Sequence, residues 1–230
     1  MVLKIIKTVW PVMLTYVAIG APCGMIMAQT GMEPWMVFAL SSTFVTGCGQ
    51  FMVCNLWLAG VPAASIVASV AAISSRFALY SASIAPHLAG ASKRQTLAVA
   101  ATLTEEAYGI SLAKLIEGQD WGPRESFALN VILIATWGVS CTMGAVVGAV
   151  VDVPTALAGF VCTSLFICLL FSQRLSRGNA VAAVLAAASV AVCKFLGWTN
   201  VAVPVSVLVG VAAALVCDAL AEGRGARDAR

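Results

Sequence analysis

The chain has 230 residues, of which 61% are hydrophobic and only 10% are charged, and its mean hydropathy is +0.97. Soluble domains carry about 25% charged residues, so this chain lacks the polar surface of a soluble protein and is predicted to be an integral membrane protein. Its net charge of +3 comes from Lys and Arg at the ends of apolar runs, where such residues anchor helices to lipid headgroups. This distribution does not indicate nucleic-acid binding.

Apolar runs of about twenty residues predict membrane-crossing helices, since a barrel would show alternating segments of about ten residues. Loop-forming residues divide the chain into predicted spans. These are a first run ending near Gln29, then residues 35–59, 63–84, 95–115, 126–151, 155–171, 180–195 and 201–220. The predicted fold class is all-α, a polytopic membrane bundle of about seven or eight transmembrane segments with broken helices. One transmembrane domain is expected over residues 1–221, followed by a basic, disordered tail at residues 222–230.

The basic residues give conflicting signals about membrane orientation. Lysines ahead of the first span favour a cytoplasmic N-terminus, and Lys93 and Arg94 are expected on the same side. The acidic loop at residues 117–125 is expected on the opposite side. Simple crossings cannot satisfy all three conditions. We therefore hypothesise that one segment between residues 35 and 84 enters and leaves the membrane on the same side.

The first span carries a proline and glycine motif, Pro22 followed by Gly24. Proline removes a backbone donor inside a helix, so a break there would expose backbone groups to a substrate. The alternative, favoured by the motif alone, is a kinked face at which two helices pack closely. Gly24 and Pro34 recur 120 residues later as Gly144 and Pro154, which suggests a faint inverted repeat of the kind found in secondary transporters.

A polar cluster lies in the second span, where Ser42 is followed by Gly47, Gly49 and Gln50. Hydroxyl groups in membrane helices often bond only their own i−4 carbonyl, which is the structural alternative for Ser42. Gln50 carries donors and an acceptor beside two glycines that bare the backbone. A buried amide without partners costs about 1–3 kcal/mol, so Gln50 is expected to bind a polar group.

Charged residues occupy the middle of the third and fourth spans, where Arg76 and Tyr80 are followed by Glu105 and Glu106. A charge at the bilayer centre costs at least ~2.5–3.5 kcal/mol, so these residues face a protein interior or a water-filled path. They either hold helices in register or line a route for a solute or a proton. Adjacent glutamates point about 100° apart, so only one faces a given cavity. Arg76 is expected to pair with Glu106 or with a substrate carboxylate.

The chain lacks the sequence patterns of catalysis or of a cofactor site. Its eight cysteines are scattered singly with no Cys-x-x-Cys pair, and the single histidine, His87, lies at a segment end. There is no Gly-x-Ser-x-Gly elbow and no phosphate loop. An enzyme, a metal site and a cofactor are therefore not expected.

Four motifs in order resemble those of the AzlC-type family, the large subunits of bacterial branched-chain amino acid exporters. The family pairs Pro-x-Gly with Phe-Ala-Gly-small-small-Gln-Phe, then Asn-x-Arg before a Leu-Tyr-like turn, and Leu-Thr-Asp-Glu. In this chain the four stretches are Pro22–Gly24, Val45–Phe51, Ser74–Arg76 with Leu79-Tyr80, and Leu103–Glu106. The resemblance covers about residues 10–150, and the C-terminal third agrees only in hydropathy.

Three positions depart from the family pattern. Ser74 replaces the asparagine, Glu105 replaces the aspartate, and Thr46 stands where alanine is usual. These changes keep polarity but alter size and reach. If the three side chains line a substrate site, a cargo other than leucine, isoleucine or valine becomes an alternative.

The resemblance implies a secondary exporter of small apolar amino acids in the bacterial inner membrane, driven by the proton gradient or the membrane potential. It also implies a small AzlD-type membrane subunit as partner, and a homo-oligomer is left open. The alternatives are a non-transporting scaffold, a passive channel for a small neutral solute and, third, a lipid enzyme. The candidate substrate-binding residues are Pro22, Gly24, Ser42, Gly47, Gly49, Gln50, Ser74, Arg76 and Tyr80, and the candidate charge-coupling residues are Arg76, Glu105 and Glu106.

Overall fold

The structure is a computed structural model that describes most of the chain up to Val150. It covers residues 1–88, 90–118, 121–150 and 177–198, and the single positions 160, 163, 164, 167, 202, 205, 206, 208–210, 212, 213 and 217. Within these residues all regular structure is helical, which confirms the predicted all-α class.

Nine α-helices and one 3₁₀ turn are described in these ranges. In chain order they are α1 (Val2–Gln29), α2 (Pro34–Thr43), α3 (Gly47–Leu58), α4 (Ala63–Ser74), α5 (Arg76–Ile84), the 3₁₀ turn (Ala85–Leu88), α6 (Lys93–Ala101), α7 (Glu105–Glu117), α8 (Pro123–Val150) and α9 (Arg177–Phe195). The chain forms two compact units, one of residues Met1–Leu58 with Ser74–Cys162, the other of Ala59–Ile73 with Thr163–Arg230. The single domain over residues 1–221 stays a prediction.

In the described part of the chain, three stretches are long and apolar enough to cross a membrane. They are α1, α8 and the 26 residues Ala63–Leu88, in which Ser75 separates α4 from α5 and the last four residues form the 3₁₀ turn. The predicted spans at 35–59 and 95–115 are instead two short helices each, so they are not continuous crossings. The span predicted at 180–195 lies within α9, whose apolar part is shorter than a crossing. The spans predicted at 155–171 and 201–220 and the tail at 222–230 lie largely or wholly outside the described residues.

The first compact unit is organised by α1 and α8, which are both 28 residues long. Their small residues let the two backbones touch, as in closely packed membrane helices. The closest pairs are Gly20 with Ser140, Ala21 with Gly144, Gly24 with Cys141, and Met25 with Gly148. Tyr16 meets Trp137, Gly20 meets Ser140 and Met25 meets Gly148, so the contacts advance in the same direction along both helices, and α1 and α8 run parallel. An inverted repeat would set them antiparallel, so that hypothesis is wrong for this pair.

The helix break predicted near Gly24 does not occur, because α1 continues through Pro11 and Pro22 to Gln29. Gly24 lies against the backbone of Cys141 in α8. The packing interpretation of this motif therefore describes the observed geometry.

In the second unit, Gly210 packs against Ala186 of α9.

Candidate functional site

The break between α2 and α3 is held by the side chain of Gln50, which is fully buried. Its Nε2 donates to the backbone carbonyl of Phe44 at 2.6 Å. Its Oε1 accepts from Trp137 Nε1 at 2.9 Å and from Ser41 Oγ at 3.3 Å. The predicted need of Gln50 for polar partners is met within the protein in this conformation. Substrate binding by Gln50 stays a prediction.

The glycines after this break allow a close approach of side chains to the start of α3. A Cβ on Gly47 would come within 3.0 Å of the Trp137 ring, and one on Gly49 would come within 2.9 Å of the Phe44 ring. Thr46 accepts a hydrogen bond from the Gly49 backbone N–H at 3.2 Å, which caps the new helix. The alanine usual at position 46 cannot make this bond, so the Thr46 departure has a structural explanation.

Ser42, another predicted site residue, lies beside α8 rather than at the break. Its hydroxyl is 3.0 Å from the position that a Cβ on Gly138 would occupy. It therefore contributes to the contact between α2 and α8. The structure brings Gly47, Gly49 and Gln50 together but leaves Ser42 and Gly24 in helix contacts.

The break between α6 and α7 ends at Thr104, whose buried hydroxyl accepts from the Ala107 backbone N–H at 3.0 Å. Glu105 and Glu106 then occupy the first turn of α7. Negative side chains are stabilised at a helix N-terminus by the free backbone N–H groups there. The Leu-Thr-Glu-Glu motif thus begins a helix and presents its two carboxylates on different faces.

The two carboxylates have different partners. Arg76 Nη2 lies 2.7 Å from Glu105 Oε2, with side chains that are 26% and 30% exposed. The Tyr16 hydroxyl lies 2.6 Å from Glu106 Oε2 and 3.2 Å from Thr104 Oγ1. Since that hydroxyl has one proton, it donates to the nearer carboxylate. The expected pairing of Arg76 with Glu106 is therefore wrong, because the phase of α7 turns Glu105 toward Arg76.

Two hydrogen-bond donors, one on Arg76 itself and one two residues before it in the sequence, are unused in the described part of the structure. Arg76 Nε and Ser74 Oγ are buried and have no hydrogen-bond partner there. Arg76 lies in the middle of the stretch Ala63–Leu88, and Glu105 is its only ion-pair partner among the described residues. The site therefore has donor capacity for a further acceptor such as a carboxylate.

Tyr80 belongs to an aromatic contact between α5 and α7. Its ring stacks on Tyr108 with centroids 4.6 Å apart, and Phe77 meets it edge-on at 5.8 Å. The Tyr108 hydroxyl lies 3.0 Å from Ser83 Oγ. These contacts fix α7 beside α5 and so position Glu105 against Arg76. A direct substrate contact of Tyr80 stays a prediction.

Tyr16 and Trp137 are site residues that the sequence reasoning missed. Each lies near the middle of a 28-residue helix, and their rings meet edge-on with centroids 5.3 Å apart. Tyr16 bonds Glu106 and Trp137 bonds Gln50, so the pair links the two helix breaks. A usable signal was present, since a tyrosine or tryptophan buried in mid-membrane needs a partner for its polar atom.

Replacing Gln50 by leucine is expected to destabilise the protein. Trp137 Nε1 would lose its acceptor, which costs about 1–3 kcal/mol for a buried donor. A chain of this size then melts several degrees lower, roughly 2–4 °C per kcal/mol. Thermal unfolding in detergent measures the effect.

The matched control is Trp137→Phe, alone and combined with Gln50→Leu. The two substitutions remove the same hydrogen bond, so their combined effect should be smaller than the sum of the single effects. Additive effects would contradict the described link between Trp137 and Gln50.

The sequence matches the model of the family described as AzlC protein over residues 11–151. No curated protein and no solved structure matched the chain. The matched region begins within α1 and ends just after α8, so it includes both helix breaks and the Arg76–Glu105 pair.

Proposed function

This chain belongs to the AzlC family of membrane transport-related proteins, and we propose that it exports small apolar amino acids across the bacterial inner membrane. The observation that carries the proposal is the ion pair of Arg76 and Glu105 at mid-span, with unused donors at Arg76 Nε and Ser74 Oγ. Ionisable groups within membrane segments are rare and mark pathways for solutes or protons.

Arg76 is proposed to bind the carboxylate of the amino acid. A guanidinium presents a fork of N–H groups that matches a carboxylate, and Nε is one arm of that fork. Glu105 engages Nη2. Nε has no hydrogen-bond partner among the described residues, so it can donate to a second acceptor. Ser74 lies two residues before Arg76 and offers a hydroxyl to the same ligand.

Coupling to the proton gradient or membrane potential is proposed to run through the two glutamates. When a substrate carboxylate engages Arg76, Glu105 shares or loses its counter-ion. An unpaired carboxylate is costly in a membrane, so Glu105 must then gain a proton or another partner. Glu106 accepts a hydrogen bond from the Tyr16 hydroxyl and is proposed as the second proton-sensitive group.

The cargo is proposed to be of the branched-chain type, with methionine as a further candidate. Of the three family departures, Thr46 caps α3, whereas Glu105 belongs to the ion pair and Ser74 lies two residues before Arg76 in the sequence. Serine is shorter than asparagine and glutamate longer than aspartate, which shifts polar groups around the proposed carboxylate site. Apolar pockets distinguish one methylene by only ~1–3 kcal/mol, so several related amino acids should compete.

The test is uptake of labelled leucine, valine and methionine into proteoliposomes, with and without an imposed pH gradient. We expect accumulation that depends on the gradient and is absent from protein-free liposomes. Equilibration without accumulation would indicate a passive channel. Absence of flux and of substrate binding, even with a partner subunit present, would favour a scaffold whose ion pair only joins helices.

A small AzlD-type membrane subunit is the proposed partner, and a homo-oligomer is the alternative assembly. The proteoliposome assay is therefore run with the chain alone and after co-expression with such a subunit. Flux that appears only with the subunit would support an obligatory partner. The mass of the detergent-solubilised complex, corrected for bound detergent, separates a hetero-complex from a homo-oligomer.

A further inference from the structure

Helices α6 and α7 are each too short to cross a bilayer. They contain 9 and 13 residues, which correspond to about 14 and 20 Å, whereas the hydrocarbon core is about 30 Å thick. Residues 102–104 separate them. The pair either crosses end to end as one broken span or folds back to the side from which it entered.

The contacts of α7 with α5 show that both helices run in the same direction. Glu105 pairs with Arg76, so the two helices begin at the same level. Further along, Tyr108 stacks on Tyr80. Leu115, near the end of α7, then lines the same cavity as Leu88 of the 3₁₀ turn. The end of α7 therefore lies level with the 3₁₀ turn that follows α5.

The start of α6 lies at this same end of the unit. A cavity of about 410 Å³ is lined by Leu88 of the 3₁₀ turn, Gln95 of α6, Leu115 of α7 and Arg124 of α8. Ser92 and Gln95 form a capping box that begins α6 there. The start of α6, the end of α7 and the start of α8 thus meet around one cavity.

The far end of α6 is bound to the inner part of α8. Asn130 Nδ2 donates to the Val99 carbonyl at 3.1 Å and to Thr102 Oγ1 at 3.0 Å. Asn130 is seven residues into α8 from Pro123, about 10 Å along the helix axis. The turn between α6 and α7 therefore lies inside the unit, away from the cavity at its end.

We propose that α6 and α7 form a re-entrant hairpin, which enters and leaves the membrane on the face where α8 begins. Its tip carries Glu105 and Glu106 into the membrane interior. Non-helical backbone at that depth is tolerated when it is buried in protein, and here Leu103 and Thr104 are buried. The segment α6–α7 is therefore proposed to return to its own side, and the same behaviour of a segment between residues 35 and 84 stays a prediction.

The membrane face at which the hairpin enters and leaves is assigned to the cytoplasm because basic residues lie there. Since α1 runs parallel to α8, the lysines at the start of α1 share this face with Lys93, Arg94 and Arg124. The opposite end of α1 is followed by Glu33. Positive residues mark the cytoplasmic side. The expectation that Lys93 and the loop at 117–125 lie on opposite sides is wrong, because Gln95 and Arg124 line one cavity.

The test is labelling of single added cysteines with a membrane-impermeant maleimide. The variants are Lys93→Cys, Arg124→Cys and Glu33→Cys, all at exposed positions, and the parental chain with its eight cysteines gives the background. We expect Lys93→Cys and Arg124→Cys to label only in inside-out vesicles and Glu33→Cys only in intact cells. Labelling of the first two from opposite sides would overturn the hairpin, and labelling of both from outside would overturn its cytoplasmic assignment.

A second measurement, chemical cross-linking, tests the hairpin without reference to its orientation in the membrane. Ala91→Cys and Gly122→Cys both line the cavity, so the double variant should be joined by a short bifunctional maleimide. The single variants are the controls. Failure to join them, with both cysteines reactive, would overturn the hairpin. Neither measurement depends on transport, so a failed uptake assay leaves this inference intact.

Discussion

Gly24→Ala is expected to leave little folded protein in the membrane. A Cβ at this position would overlap the backbone carbonyl of Cys141 in α8. A backbone carbonyl inside a helix cannot rotate away as a side chain can, so α1 and α8 must separate along their whole contact. Overpacking against side chains typically costs 1–3 kcal/mol, about the scale of a core substitution, and a clash between two backbones exceeds it. The yield of monodisperse protein in detergent measures the loss.

Gly109→Ala is the matched control for this substitution. Gly109 also lies in a helix, and a Cβ there would meet nothing within 4 Å. Alanine is the better helix former by about 1 kcal/mol, so this variant should be produced at least as well as the parent. Equal yields of Gly24→Ala and Gly109→Ala would contradict the described contact of α1 with α8. A Gly24→Ala protein that folds but does not transport would instead favour the substrate-binding role.

The all-helical class and three of the long apolar stretches were predictable, because hydropathy and length report them directly. Broken helices were expected, and the break between α2 and α3 lies beside Gly47, where the sequence pattern indicated exposed backbone; the break inside residues 95–115 was not located. Thr46 and Thr104 cap new helices there, and Gln50 bonds the Phe44 carbonyl. These bonds join residues that are close in sequence, but the same residues are also compatible with a continuous helix, so an apolar run with a polar interruption does not distinguish one helix from two.

The charged residues of the site were identified from the sequence, but their pairing was not. Glu105 and Glu106 differ by about 100° in helical phase, and the sequence does not show which one faces α5. The stacking of Tyr80 on Tyr108 decides that phase. Tyr16 was missed because it is 90 residues from Glu106 in sequence and reaches it only through the packing of the folded unit.

Arg76→Gln and Glu105→Gln are expected to reduce amino acid transport on the order of tenfold to a hundredfold. A hydrogen bond to a charged group contributes about 1.5–3 kcal/mol, and each 1.4 kcal/mol corresponds to a factor of ten. Arg76→Gln removes the proposed carboxylate ligand, and Glu105→Gln removes a proton-sensitive group. Initial rates in proteoliposomes, normalised to folded protein, give the measurement. Parental rates in both variants would contradict the proposed roles.

Lys114→Gln supplies the control for loss of an ion pair as such. Lys114 pairs with Glu117 at 2.8 Å in the last turn of α7, with more exposed side chains than the Arg76–Glu105 pair. Exposed pairs of this kind contribute about 0–1 kcal/mol, so transport should stay near the parental rate. The exchange Arg76→Glu with Glu105→Arg separates a structural role of the ion pair from a direct role of the two side chains in transport. It should restore the folded yield if the pair only joins helices, and it should leave transport lost because the carboxylate ligand and the proton-sensitive group have changed places.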